Sequence, residues 1–173
     1  MSAIASVLIL ATVAGCVQFS TSRTRLDDDL QNRMIVEFTT LAERVDKASV
    51  EDADGAVDVE RFERSLRVSI IDASELEAVD SSGFSISGIL DADVDGDVGV
   101  VDFFVAVGSI SQDGPWTARG AWFGCGRFEV SFSDRTTTVV DTECTDSLLR
   151  SLDIRGRKVS VANLSSLSTI GTT

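Results

Sequence analysis

The chain opens with an apolar run from Ala3 to Gly15, followed by Cys16, and no charged side chain precedes Arg23. A run of this length fits the hydrophobic core of a signal peptide. Extended through Phe19, it approaches the roughly 20 residues that span a bilayer. Residues 1–19 are therefore expected to be a signal peptide or a membrane anchor, with 20–25 as a linker. The spacing then changes to threes and fours. Leu26, Leu30, Met34, Phe38, Leu41 and Val45 share one helical face, which predicts an amphipathic helix over 26–47. Asp27, Asp28 and Asp29 would occupy its first turn and complement the helix dipole. The polar stretch Ser49–Gly55 breaks this pattern. A second helix is expected over 58–67, capped by Asp58, with Phe62 and Leu66 inward.

From Phe84 the period drops to two. Phe84, Ile86 and Leu90 keep one parity, and Val98–Val107 is dense in Val and Phe, as in a central strand. Strand texture continues over 120–124 and over 127–132, where Phe128, Val130 and Phe132 alternate with Arg127, Glu129 and Ser131. Ser133-Asp134 reads as a turn into a β-branched partner at 135–140. Thr145 or Asp146 would cap a short helix ending at Leu152, and a weak strand is expected at 159–162. The expected fold is α+β: two helices on one face of a mostly antiparallel sheet of about four to six strands. The domain would cover 26–162, with 163–173 as a flexible tail.

Composition narrows the function. Fifteen Lys and Arg stand against 28 Asp and Glu, a net charge of −13, which repels nucleic-acid phosphates and argues against that class of partner. The chain has no His, so His general bases, Ser-His-Asp and Cys-His pairs and imidazole-bound metals are excluded. An enzyme here would have to act through Asp or Glu, a thiol or a lysine, and no spacing singles out two carboxylates as an acid–base pair.

Val13-Ala14-Gly15-Cys16 resembles the lipobox of bacterial lipoproteins, in which a branched apolar residue and two small residues precede the modified Cys. The resemblance implies that the Cys16 sulfur carries a diacylglyceryl group and becomes the first residue of the mature chain. No Lys or Arg precedes the apolar run, and an uncleaved helical anchor is the competing reading. Cys125 and Cys144 then remain as a pair, which reads as a disulfide in an exported, membrane-anchored domain of the cell envelope. Arg23 and Arg25 pull the other way, because basic residues beside an anchor favour the cytoplasmic side.

Asp91, Asp93, Asp95, Asp97 and Asp102 with Gly96 fall at the ligand and turn positions of a twelve-residue EF-hand calcium loop, which the segment resembles. Calcium is the one cofactor the sequence suggests. The loop departs from the family in its short Asp102 at the final position and in its strand-like flanks. The same residues also suit an acidic hairpin with an Asp-Gly turn. Trp116, Trp122 and Phe123 form a candidate ligand-stacking patch, against the alternative of core packing.

The leading functional reading is a membrane-tethered, extracytoplasmic lipoprotein-like domain. It would bind a protein or small-ligand partner rather than catalyse a reaction. The alternative is structural. An apolar then amphipathic helix from 3 to 47, followed by a sheet with a disulfide, resembles the plan of type IV pilin-like subunits. The Glu that such subunits usually carry five residues into the apolar helix is absent. A carboxylate-dependent enzyme is the third reading.

Overall fold

The computed structural model describes residues 3–49, 59–67, 83–113 and 116–165, with side chains from Arg23 onward except those of Val59, Asp113, Trp116 and Ser165. Helix α1 (Ala3–Ala48) and helix α2 (Val59–Arg67) precede a meander of β1 (Phe84–Asp95), β2 (Val98–Asp113), β3 (Trp116–Ser131) and β4 (Thr136–Thr142). Helix α3 (Asp146–Ser151), a short β5 (Arg157–Lys158) and α4 (Ala162–Ser165) close the chain. The sheet order is β1-β2-β3-β4, all antiparallel, with β5 paired parallel to β3. The architecture is thus α+β with a mostly antiparallel five-stranded sheet.

α1 is one uninterrupted helix and runs through residues 20–25, the stretch expected as a linker. Ser and Thr each cost a helix only a few tenths of a kcal/mol, so Ser20, Thr21 and Ser22 do not stop it. The Asp27–Asp29 triplet therefore lies mid-helix rather than in a first turn. Asp29 pairs with Arg33 at 2.9 Å and accepts a hydrogen bond from Ser109 Oγ of β2.

The core follows the helical spacing. Leu26, Leu30, Met34, Phe38, Leu41 and Val45 are all buried, against Val101, Phe103, Val105 and Val107 of β2 and Phe128 and Val130 of β3. Phe38 sits over the pair Phe103–Phe128, whose rings stack at 4.4 Å, with centroids 6.0 Å and 5.7 Å away. Phe62 and Leu66 of α2 close the far end of the same layer, and Phe62 meets Phe132 edge-on at 5.2 Å.

Helices cover both sheet faces, not the one expected. β2 is buried on both sides, and its even-numbered Phe104 faces a second cluster with Cys125, Leu148 and Leu152. A strand this apolar on both faces needs cover on both, and α3 supplies the second layer. Thr145 caps α3 by accepting the Leu148 N–H at 3.3 Å. Cys125 and Cys144 are bridged, with S–S 2.05 Å and Cα–Cα 5.3 Å. Closing a loop of 19 residues contributes about 3 kcal/mol, and the bridge pins α3 against the sheet.

A bulge between Ile89 and Asp91 shifts the β1 register. It turns Ile89, Ala92 and Val94 toward α1 and leaves Asp91, Asp93 and Asp95 exposed on the other side. The strand expected at 159–162 is instead the two-residue β5 followed by α4, which occupies the start of the expected tail. Residues 166–173 lie outside the described residues.

Candidate functional site

The acidic segment forms a tight hairpin. Gly96 takes a positive φ of 62°, the conformation the Asp-Gly turn requires. Asp91, Asp93 and Asp95 are strung along β1, and alternate residues of an extended strand lie about 7 Å apart, so these carboxylates are not wound around a common point. Asp97 accepts the Ser133 N–H at 3.1 Å. Asp102 is held by Arg127 through two hydrogen bonds, at 2.7 Å and 2.9 Å. Among the described residues, no group of three or more Asp, Glu, Cys or His is placed to hold a metal ion. In a thermal melt with calcium against chelator, the expected result is the same midpoint change for wild type and Asp93→Asn/Asp95→Asn. A rise confined to wild type would show that the hairpin gathers its carboxylates around the ion.

Arg127 is the counter-charge of this acidic row. It lies across the sheet from Asp102, which itself lies across from Asp91. The Asp102 hydrogen bonds and charge, with Glu129 and Asp91 behind them, hold the guanidinium proton more tightly than usual.

Asp141 ties the chain's end to β4. Its Oδ1 accepts the backbone N–H groups of Val161 at 2.7 Å and Ala162 at 3.1 Å. Burial pushes the Asp141 carboxyl up, but hydrogen bonds from Ser160, Ala162 and Val161 and the charge of Lys158 outweigh it, and the net shift is downward. A depressed folded value means the clamp's contribution is complete above the unfolded value of about 3.9 and is lost as pH falls through the folded one. Asp141→Ala should cost about 1–2 kcal/mol at neutral pH, read by urea unfolding. The gap to wild type should narrow below that pH window; a pH-independent gap would show that the charge is irrelevant.

Of the three expected stacking residues, two do not share a sheet face. Trp122 and Phe123 are successive residues of β3 and point to opposite sheet faces. The Trp116 side chain lies outside the described residues. Trp122 instead lines a groove of about 510 Å³ between the α1 residues nearest the apolar run, the start of β3 and the segment leading into β5. Four arginines, Arg23, Arg119, Arg155 and Arg157, line the same groove, with Asp27 the one acidic residue. The Arg157 guanidinium sits 5.6 Å over the Trp122 ring. Sequence reading missed this groove, because its cations come from three distant segments. The one local signal is Arg155-Gly156-Arg157 in a chain poor in cations.

The Cys16 side chain lies outside the described residues. Among the residues whose side chains are described, which begin at Arg23, no helix is long and apolar enough to cross a membrane. Comparison with known proteins finds no matching family model, no matching curated protein and no matching solved structure.

Proposed function

We propose that the chain is a structural subunit, similar in plan to type IV pilin-like subunits. The apolar beginning of α1 serves as membrane anchor and assembly strut, and the α+β domain is displayed outside the cytoplasm. The observation that carries this reading is the continuity of α1 from Ala3 to Ala48. Leu26 is its first buried residue among those whose side chains are described. The apolar helical residues Ala3–Phe19 extend about 25 Å, close to the roughly 30 Å of a hydrocarbon core. A removable signal peptide has no need to continue without a break into the helix that forms the domain core. The Cys125–Cys144 bridge fits an oxidising compartment. Partners in this reading are the bilayer and further subunits, and no catalytic step is assigned.

A second reading rests on Val13-Ala14-Gly15-Cys16: cleavage before a lipidated Cys16 would leave a lipid-anchored binding domain. Intact mass of the membrane-extracted protein separates the two. The expected result is a chain retaining residues upstream of an unmodified Cys16. Cys16→Ser should partition into membranes unchanged, and surface-sheared material should cross-link into multimers. A mature chain beginning at a diacylated Cys16 would overturn the proposal in favour of the lipoprotein.

A further inference from the structure

We propose that the arginine groove docks onto anionic phospholipid headgroups of the bilayer that holds α1, fixing the tilt of the domain over the membrane. The inference rests on the reading of α1 as an anchor. In a chain of net charge −13, four of 15 cations converge on one groove that contains a single carboxylate. Arg23 and Arg119 have no ion-pair partner among the described residues, and the Arg155 side chain, 90% exposed, meets Asp153 only at 3.5 Å. The guanidinium fork matches phosphate oxygens and is always charged.

Position identifies the source of the phosphate. Arg23 follows Phe19, the end of the apolar run, by four residues, about 6 Å along the helix. The groove therefore lies at the level where an embedded α1 would leave the hydrocarbon. Trp122, an amphipathic ring of the kind that favours headgroup depth, lines it. The acidic hairpin tip at Asp95 and Asp97 lies at the opposite end of β2. Gly120, paired with Ser109, touches Leu26 and Leu30, whereas Gly99 touches Phe62. That distance along the strand is about 35 Å. The arginine groove thus lies at the end of the sheet nearest the bilayer, and the acidic hairpin turn at the far end.

The test uses the full chain, in a Trp116→Phe background so that Trp122 is the sole tryptophan, mixed with vesicles carrying a headgroup-attached quencher. Vesicles of phosphatidylcholine alone are compared with vesicles containing phosphatidylglycerol. Trp122 quenching should be stronger with the anionic lipid and should disappear in high salt. Each arginine at an anionic surface is worth roughly fivefold in partition. Arg119→Gln should weaken docking by about that much. Arg119→Gln/Arg155→Gln/Arg157→Gln should weaken it on the order of a hundredfold, to the phosphatidylcholine level. All three side chains are exposed, so the fold should persist.

Quenching equal in both lipids, or unchanged in the triple variant, overturns the proposal. So does an equal Trp122 response to millimolar inorganic phosphate without anionic lipid. Flotation distinguishes this from failure of the anchor. A chain that floats with phosphatidylcholine but shows no composition-dependent quenching keeps the anchor and loses the groove. One that floats only with phosphatidylglycerol, and not as the triple variant, loses the anchor and keeps the groove. One that floats with neither loses both.

Discussion

Phe38→Ala is expected to cost about 3–5 kcal/mol, a large share of the roughly 5–15 kcal/mol that holds a domain of this size together. Phe38 is fully buried and is the one aromatic residue of α1's core stripe. Its ring meets Phe103 of β2 and Phe128 of β3 at once, so truncation removes the residue that joins the helix to the two central strands. The hole is bounded by the backbone of a regular helix and a hydrogen-bonded sheet, neither of which can collapse far, so the cavity adds to the lost transfer energy. Phe38→Leu should lose well under half as much, since most of the volume remains. Urea unfolding of both variants checks this. A cost below about 1 kcal/mol for Phe38→Ala would mean that α1 is not docked by this stripe. The consequence reaches function: if α1 is both anchor and core element, a loosened stripe uncouples the displayed domain from its own anchor.

Much of this architecture was legible in the sequence, for reasons that differ by element. The helix over 26–47 was readable because six large apolar residues repeat at helical spacing, and all six are buried. Its extension back to Ala3 was read only in the pilin-like alternative; the leading reading placed a linker at 20–25, yet Ser20-Thr21-Ser22 cost a preformed helix little. The Cys125–Cys144 pairing followed from there being two cysteines once Cys16 was set aside. The acidic segment supports two readings for a physical reason. Calcium-loop ligands at positions one, three and five share a period of two with the exposed face of a strand, so Asp91, Asp93 and Asp95 satisfy both patterns. Only the pairing of Val98 with Asp95 and the claim of Arg127 on Asp102 distinguish them. The position of α3 on the second face could not be read from Leu148 and Leu152, because two apolar residues in a short helix do not say which side of a sheet they cover. The arginine groove is assembled by long-range packing and leaves almost no local trace.

Strand texture was read over 120–124 and over 127–132, and the structure joins both in one continuous strand, Trp116–Ser131, that contains Gly124 and Gly126. The glycines make room for Val161, which Asp141 clamps in place and which is fully buried. A Cβ at Gly126 would lie 2.4 Å from Val161 Cγ2, 2.8 Å from Phe103 Cζ and 3.0 Å from the Val140 carbonyl oxygen. One at Gly124 would lie 2.6 Å from Val161 Cγ1 and 2.8 Å from the Val159 carbonyl oxygen. Neither backbone oxygen can retreat without breaking the pairing of β4 or of the segment after β5. Gly126→Ala is therefore expected to cost about 3 kcal/mol, at the upper end of what overpacking does, although alanine outranks glycine nearly everywhere else. Val161→Ala alone should cost about 2 kcal/mol through its cavity. Because the Val161 methyl is the nearest obstacle, the double variant should be less destabilised than the sum of the two by about 1 kcal/mol or more, a coupling typical of residues in direct contact. The residual cost would then come from Phe103 and Val140, which remain. Urea unfolding of the four proteins measures that coupling. Strict additivity would show that Gly126 is required for a reason other than the close approach of Val161.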